Sequence, residues 1–118
     1  MSHILRRGLP LSILFILVFS ATALAGEKKV VKMQGVIMAF DLKKNVVIVN
    51  ERLFVLNPNT TLHNDKGTAT TIDKLKPNMW VYIEGLQDKM NRRIVAQKIY
   101  LLPKYIEDKE KHRYPFIQ

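Results

Sequence analysis

A two-residue alternation of side chains marks the clearest strand of this sequence, directly after a Pro-Asn turn. Met79, Val81 and Ile83 fall on one face, and Trp80 and Tyr82 fall on the other. β-Branched and aromatic residues at this period are typical of a strand with one buried face. The pattern therefore predicts that Val81 and Ile83 point into a core.

Four further segments have the composition of strands. They are residues 30–41, 46–50, 53–56 and 93–102. Gly35 lies inside the first of them, and a glycine within a strand commonly marks a bulge or a bend where another backbone comes close. We expect this long strand to bend there and to serve both halves of a small barrel.

One helical turn is predicted at residues 71–75, between the third and fourth strands. Thr71 is a suitable N-cap, and the carboxylate of Asp73 suits the positive end of a helix. The apolar side chains of Ile72 and Leu75 are expected to plug the bottom of the core.

Regular alternation along the last strand predicts its two faces. One face holds Val95, Ile99 and Leu101, and the other holds Ile94, Ala96, Lys98 and Tyr100. Pro103 ends the strand, because proline has no N–H to donate to a neighbouring strand.

About five short strands at regular spacing, one helical turn and no long helix predict an all-β fold, either a small barrel or a sandwich. The residues that carry a family resemblance are, in order, Gly35-Val36-Ile37, Val47-Ile48-Val49-Asn50, Phe54-Val55-Leu56 with Asn59-Thr60, Ile72-Asp73-Lys74-Leu75-Lys76, Met79-Trp80-Val81-Tyr82-Ile83-Glu84-Gly85 and Ala96-Gln97-Lys98-Ile99. With these motifs the chain resembles the exported bacterial OB-like small β-barrels of unknown function. The resemblance implies that the fold is a five-stranded OB-like barrel with one short helical turn and that the protein belongs to the cell envelope, and it carries over no catalytic residues. That group usually has glycine at the position of Asn78, and asparagine also reaches the left-handed conformation.

The first 25 residues have the three-part layout of a secretory signal peptide. Two arginines form a basic start, residues 9–19 are almost entirely apolar, and residues 23–25 read Ala-Leu-Ala ahead of Gly26. An uncleaved membrane anchor is the alternative, but the apolar run falls short of the ~20 residues that a spanning helix needs. We therefore expect a signal peptide helix at residues 1–25 that is cleaved, which leaves no stable membrane span and a periplasmic or secreted protein.

The rest of the chain divides into an OB-like barrel domain at residues 26–102 and a charged C-terminal tail at residues 103–118. Two of the 19 Lys and Arg residues lie in the leader, so this part keeps seventeen against ten Asp and Glu, a net charge of +7. Such a charge attracts anionic partners, or it keeps an exported domain soluble. The chain has no cysteine, which excludes disulfides, thiolate catalysis and Cys-based zinc sites.

The candidate ligand-binding face carries the rings of Trp80 and Tyr82. If the last strand pairs antiparallel with theirs, Lys98 falls opposite or diagonal to the rings, and Arg92 and Arg93 precede it. An OB-type surface stacks bases on such rings and holds phosphates with such cations. In the alternative interpretation, the two rings cover the open side of the barrel or pack under the C-terminal tail, since large aromatic side chains are mostly buried.

No catalytic or cofactor-binding set stands out in the sequence. His63 lies beside Asn64 and Asp65, but adjacent residues seldom converge on one metal ion, so a simple turn is the favoured interpretation. Glu84 and Asp88 are the nearest carboxylate couple, and one belongs to a strand and the other to a loop. The sequence contains no glycine-rich phosphate loop and no HExxH motif. We therefore predict neither an enzyme nor a cofactor.

Two functions remain as hypotheses. The first is an exported, non-catalytic binding or accessory module of the bacterial cell envelope, with an envelope protein or an anionic glycan as its partner. The second is OB-type binding of single-stranded nucleic acid or another polyanion through the aromatic and basic face. Export argues against the second, because nucleic acid is scarce outside the cytoplasm.

Overall fold

A computed structural model describes residues 27–118 of the chain. Its strands are β1 (Lys28–Asp41), β2 (Val46–Val49), β3 (Arg52–Val55), β4 (Thr61–His63), β5 (Ala69–Thr70), β6 (Trp80–Asp88) and β7 (Ile94–Leu102). Two 3₁₀ helices, η1 (Ile72–Lys74) and η2 (Asp108–Arg113), precede β6 and follow β7. In this part of the chain, no helix has the length and apolar character needed to cross a membrane. The predicted signal peptide, residues 1–25, lies outside the described residues.

The strands form one sheet in the order β3-β2-β1-β6-β7-β4-β5, and β3 also pairs with β7. This second pairing is parallel and joins Phe54 to Ile94 and Val55 to Val95. It closes β1, β2, β3, β7 and β6 into a five-stranded barrel. β4 runs parallel to β7 further along the same edge and carries β5. The predicted all-β, OB-like barrel with one short helical turn between its third and fourth strands is confirmed.

β1 changes its partner strand next to Gly35. Residues 28–36 pair with β6, whereas residues 37 and 39–41 pair with β2, with a register shift at Met38. A side chain has no space at Gly35, because a Cβ there would lie 2.6 Å from Cγ1 of Val49 and 2.8 Å from Cγ of Asn50. Glycine therefore allows β2 to approach closely, and one long strand serves both halves of the barrel.

The barrel interior is filled by the apolar face of each strand. Val81 and Ile83 are fully buried, as predicted. The other members of this core are Val31, Ile37, Val47, Val49, Phe54, Leu56, Leu62, Leu75, Ile94, Ala96 and Ile99.

Only one of the two residues expected to plug the bottom of the core does so. Leu75 is 2% exposed, but the prediction for Ile72 is wrong, since this side chain is 40% exposed. Leu75 has left the 3₁₀ turn and has an extended backbone conformation, with φ of −69° and ψ of 133°. Its side chain therefore does not follow the face of η1 that carries Ile72.

A β-bulge interrupts β7 at Gln97. Glu84 pairs with Lys98, whereas the next residue, Gly85, pairs with Ala96. Gln97 is thus the extra residue, and both Gln97 and Lys98 are exposed. A bulge of this kind turns side chains to new directions and breaks the two-residue period.

The bulge also changes which residues of β7 share a face. Ile94 and Ala96 are buried before it and Ile99 is buried after it, whereas Val95 is only half-buried and lies on the outer face. The predicted face that combines Val95 with Ile99 is therefore wrong, because one inserted residue shifts the phase of the alternation.

The C-terminal segment, residues 103–118, packs on the outer face of β6 and β7. Ile106 is fully buried, and the side-chain amide of Gln34 bonds both of its backbone groups. The N–H of Ile106 donates to Oε1 at 2.8 Å, and Nε2 donates to the carbonyl oxygen at 2.9 Å. The aromatic cluster, as we call it, consists of Tyr82, Tyr100, Leu102, Ile106 and Ile117, with Trp80, Tyr114 and Phe116 packed against them.

Candidate functional site

The outer face of the barrel carries rows of side chains that run across the strands. One row is apolar, and cross-strand pairing joins Val30 to Leu86, Leu86 to Val95 and Val95 to Val55. We call these four residues the apolar row. Val30 is 57% exposed and the other three are half-buried, so solvent reaches the row along its length.

A groove of about 540 Å³ lies over the centre of the apolar row. Its apolar lining consists of Leu86, Val95 and Ala96, its charged lining consists of Lys28, Asp88, Arg93 and Lys98, and the polar side chains of Asn57, Asn59, Thr61, Asn91 and Gln97 complete it. The groove thus combines a small apolar surface with a larger number of cationic, amide and hydroxyl groups.

The polar loop between β3 and β4 is fixed to β7 by two threonine hydroxyls. Thr60 Oγ1 donates to the carbonyl oxygen of Ala96 at 2.7 Å, and Thr61 Oγ1 donates to that of Gln97 at 3.3 Å. The loop also closes on itself, since the N–H of Asn57 donates to Thr60 Oγ1 at 3.0 Å. These bonds hold the loop beside the groove. The loop lies next to the part of β7 between residues 94–95, which pair with β3, and residues 98–100, which pair with β4.

Positive charge dominates the groove. The carboxylate of Asp88 accepts the N–H of Met90 at 2.8 Å and lies 3.4 Å from Nζ of Lys28. The hydrogen bond from the Met90 backbone is the main reason that the pKa of Asp88 lies below its usual value, and Lys28 adds to it. Arg93 and Lys98 are exposed, and neither forms an ion pair with any residue of the range 27–118. Their charges therefore face the groove without a carboxylate partner from that range.

The five predicted ligand-binding residues do not lie together. Arg93 and Lys98 line the groove, and Arg92 lies in the turn before β7 with a φ of 62°. Trp80 begins β6, whereas Asp88 ends it beside the groove, which separates the two by about 26 Å along a strand. The structure thus separates the indole ring from the arginines, and ligand binding by these residues stays a prediction.

Tyr82 lies inside the aromatic cluster, under the C-terminal segment. It is 1% exposed, Tyr100 is its cross-strand partner, and Lys98 is diagonal to it, as predicted. The Tyr82 hydroxyl donates to Oε2 of Glu84 at 3.1 Å and accepts the N–H of Gln118 at 3.4 Å. Burial raises the pKa of Tyr82 to about 12. The ring is packed under the tail, as in the alternative interpretation, and it presents no free face for stacking.

His63 is held within the β4–β5 hairpin. Its Nδ1 lies 3.3 Å from the carbonyl oxygen of Gly67, and its Nε2 lies 3.0 Å from Oγ1 of Thr61. The imidazole also stacks on Tyr100, with ring centroids 4.6 Å apart. Both ring nitrogens therefore have partners inside the hairpin. Among residues 27–118, no group of three or more His, Asp and Glu side chains is placed to hold a metal ion.

Sequence reasoning missed Lys28, Gln97 and the loop at residues 57–61 as parts of the groove. Lys28 reaches it through the register of β1 on β6, which alternation alone does not determine. For Gln97 a signal existed in Gly85, because a glycine inside a strand often marks a bulge. A Cβ at Gly85 would lie 2.8 Å from the carbonyl oxygen of Val95, so the close approach at the bulge needs glycine.

The sequence model of one protein family matches residues 30–107 of the chain. The family is described as type 4 fimbrial biogenesis protein PilY2. The matched range begins in β1 and contains β2 to β7, so it includes the barrel and all the lining residues of the groove except Lys28.

No curated protein matches the chain. Among solved structures, the chain is similar to the fimbrial biogenesis protein PilY2 from Pseudomonas aeruginosa PAO1, with 23% identity over 63% of this chain and 88% of that one and a TM-score of 0.48. It is also similar to CusF from Escherichia coli in the apo form and with Ag(I), each with 15% identity over 65% of this chain and a TM-score of 0.47. Those matches cover 92% and 96% of the CusF chains, respectively.

Proposed function

Because the chain belongs to the family of the type 4 fimbrial biogenesis protein PilY2, we propose that it is an exported, non-catalytic accessory protein in the biogenesis of type 4 fimbriae. It acts in the periplasm or after secretion, and it binds another protein of the cell envelope. The observation that carries this proposal is the family match over residues 30–107, which includes the whole barrel except the first two residues of β1.

The domain plan is part of the same proposal. Residues 1–25 direct export and are removed, residues 26–102 form the binding barrel, and residues 103–118 form the tail. The tail is a packed part of the barrel surface, since Ile106 and Ile117 are buried in the aromatic cluster.

The lining of the groove supports a binding role. Arg93 and Lys98 supply cationic donors, and Gln97 supplies an amide that both donates and accepts hydrogen bonds. Leu86 and Val95 supply apolar area that a partner would remove from water. A protein surface offers complementary groups of all three kinds.

Binding of single-stranded nucleic acid or another polyanion is the second candidate, and the positive charge of the groove is the observation that favours it. Stacking would need exposed rings, and Tyr82 and Tyr100 are buried under the tail. Fluorescence anisotropy with single-stranded DNA across a salt series tests this candidate. Binding that weakens steeply with salt supports it, and no binding at about 50 mM salt removes it.

Deletion of the gene in a bacterium that assembles type 4 fimbriae tests the first proposal. We expect fewer surface fimbriae, seen by electron microscopy, and rescue by the full chain. The matched control is the same chain without residues 1–25, which should not restore fimbriae because it stays in the cytoplasm. Normal fimbriae in the deletion strain, or full rescue by the leaderless chain, would contradict the proposal.

A further inference from the structure

The outer face of β6 and β7 is half covered by the chain itself. The row that contains Gln34, Tyr82 and Tyr100 lies under the tail, where Ile106 is fully buried and Phe116 stacks on Tyr100 with ring centroids 4.0 Å apart. The tail binds through apolar side chains and through its backbone, which the Gln34 amide bonds on both sides. This half of the face shows that an irregular peptide segment packs well on these strands.

The other half of the face is the apolar row, and it remains open. Val30 is 57% exposed, and Leu86 and Val95 are half-buried at the centre of the groove. Contact with apolar side chains of a partner would remove this area from water.

Cations flank the apolar row on both sides. On the side of the tail, Lys32 and Lys98 lie opposite Glu84 in the neighbouring row. On the other side are Lys28 and Arg93, with the carboxylate of Asp88 between β1 and β7. An acidic occupant complements this rim.

Both carboxylates of the rim already have hydrogen-bond partners. Glu84 accepts the hydroxyl of Tyr82 at 3.1 Å, and Asp88 accepts the N–H of Met90 at 2.8 Å. Neither Arg93 nor Lys98 forms an ion pair within residues 27–118. A carboxylate from a partner protein can therefore bind these two cations without displacing an ion pair formed within residues 27–118, and Arg binds carboxylates with two parallel hydrogen bonds.

The apolar row favours a peptide over a phosphate polymer. None of the groove-lining residues is aromatic, so bases find no ring to stack on. Across four strands the row spans about 14 Å, and side chains i, i+2 and i+4 of an extended peptide span about 13 Å. Asn57, Asn59 and Gln97 supply amides at the edge for the backbone of such a peptide.

We propose that the groove receives an extended acidic segment of the partner protein, whose alternate apolar side chains lie on Leu86 and Val95 and whose carboxylates bind Arg93 and Lys98. This inference rests on the proposed function and names the chemistry of its partner. Binding of a polyanion in place of the peptide is one outcome of the experiment.

Titration of the ¹⁵N-labelled protein with a short peptide of alternating glutamate and valine tests the inference by NMR, which detects weak binding. We expect shifts of the amide signals of β7 and of residues 57–61. The double variant Arg93→Glu with Lys98→Glu should weaken binding by about tenfold or more. The matched variant Lys66→Glu with Lys76→Glu has the same net charge and changes exposed lysines outside the groove, so its affinity should stay within about twofold of the wild type.

Two comparisons separate a peptide site from a general anion site. Leu86→Ser should weaken the acidic peptide, and a peptide with lysine in place of glutamate should not bind. The inference is overturned if the acidic peptide gives no shifts at millimolar concentration or if the lysine peptide binds equally well. It is also overturned if oligothymidylate displaces the peptide and Leu86→Ser changes neither ligand.

The two proposals fail in different ways. If the peptide does not bind but deletion of the gene removes fimbriae, only the chemistry assigned to the groove is wrong. If the peptide binds as expected but fimbriae are normal without the gene, the role in fimbrial biogenesis is wrong.

Discussion

Replacement of Ile106 by alanine tests whether the C-terminal segment belongs to the cooperative fold. The side chain is fully buried in the aromatic cluster, and its backbone is bonded by Gln34 on both sides. Truncation of a fully buried isoleucine to alanine typically costs 2–5 kcal/mol, so we expect a loss of about 3 kcal/mol in the free energy of unfolding. In a domain of this size, that corresponds to a fall in Tm of about 12–24 °C.

Ile72→Ala is the matched control for this substitution. Ile72 is 40% exposed on η1, so the same chemical change should cost much less, about 0.5 kcal/mol. Urea denaturation measures both variants, and Trp80, the single tryptophan, reports on the tail because it contacts Tyr105 with ring centroids 5.6 Å apart. Wild type should show one transition by tryptophan fluorescence and by far-UV circular dichroism.

Two results would refute this reasoning. If Ile106→Ala loses no more stability than Ile72→Ala, the tail does not contribute to the folded unit as its burial implies. If the fluorescence of Trp80 changes in wild type well before the circular dichroism signal, the tail unfolds independently of the barrel.

Gly85→Ala should destabilise the protein by about 1–3 kcal/mol, because its Cβ would lie 2.8 Å from the carbonyl oxygen of Val95. An unchanged thermal midpoint would show that the bulge at Gln97 adjusts without cost. Stability should also fall between about pH 10 and pH 12, because burial raises the pKa of Tyr82 from 10.0 to about 12 and the unfolded chain therefore loses this proton first. Tyr82→Phe should make the denaturation midpoint less dependent on pH in this window, and an unaltered slope would contradict the assignment.

Local patterns in the sequence predicted the strands and their buried faces, and the family resemblance added the barrel. Val81 and Ile83 are buried as their alternation indicates, and another strand comes close at Gly35 as a glycine inside a strand suggests. Asn78 adopts a φ of 69°, in the left-handed region that a Pro-Asn turn requires. These features depend on neighbours in sequence, which is why they are visible without coordinates.

The set of residues that line the groove depends on the register of the paired strands, so the sequence predicted only some of them. Arg93 and Lys98 were identified from their charge, but Lys28 joins them only because β1 meets the far end of β6. The bulge at Gln97 shifts the phase of β7, and no count of alternating residues reveals an inserted position.

The packing of the C-terminal tail on the barrel was the second feature that local patterns did not predict. The sequence predicted only a charged tail at residues 103–118, whereas Ile106 and Ile117 are buried positions in it. Their partner surface is formed by Tyr82 and Tyr100, on two neighbouring strands. Two isolated apolar residues in a charged segment have no periodicity, so only the assembled barrel shows what they cover.

Because β1 pairs with β6, the barrel can complete its folding only late in synthesis of the chain. Lys28 pairs with Asp88, and the closing contact between Phe54 and Ile94 also waits for the last strand. A ribosome releases the N-terminal strand first, so the first half of β1 has no partner until most of the protein has been made. The barrel therefore cannot close before β6 and β7 have been synthesised.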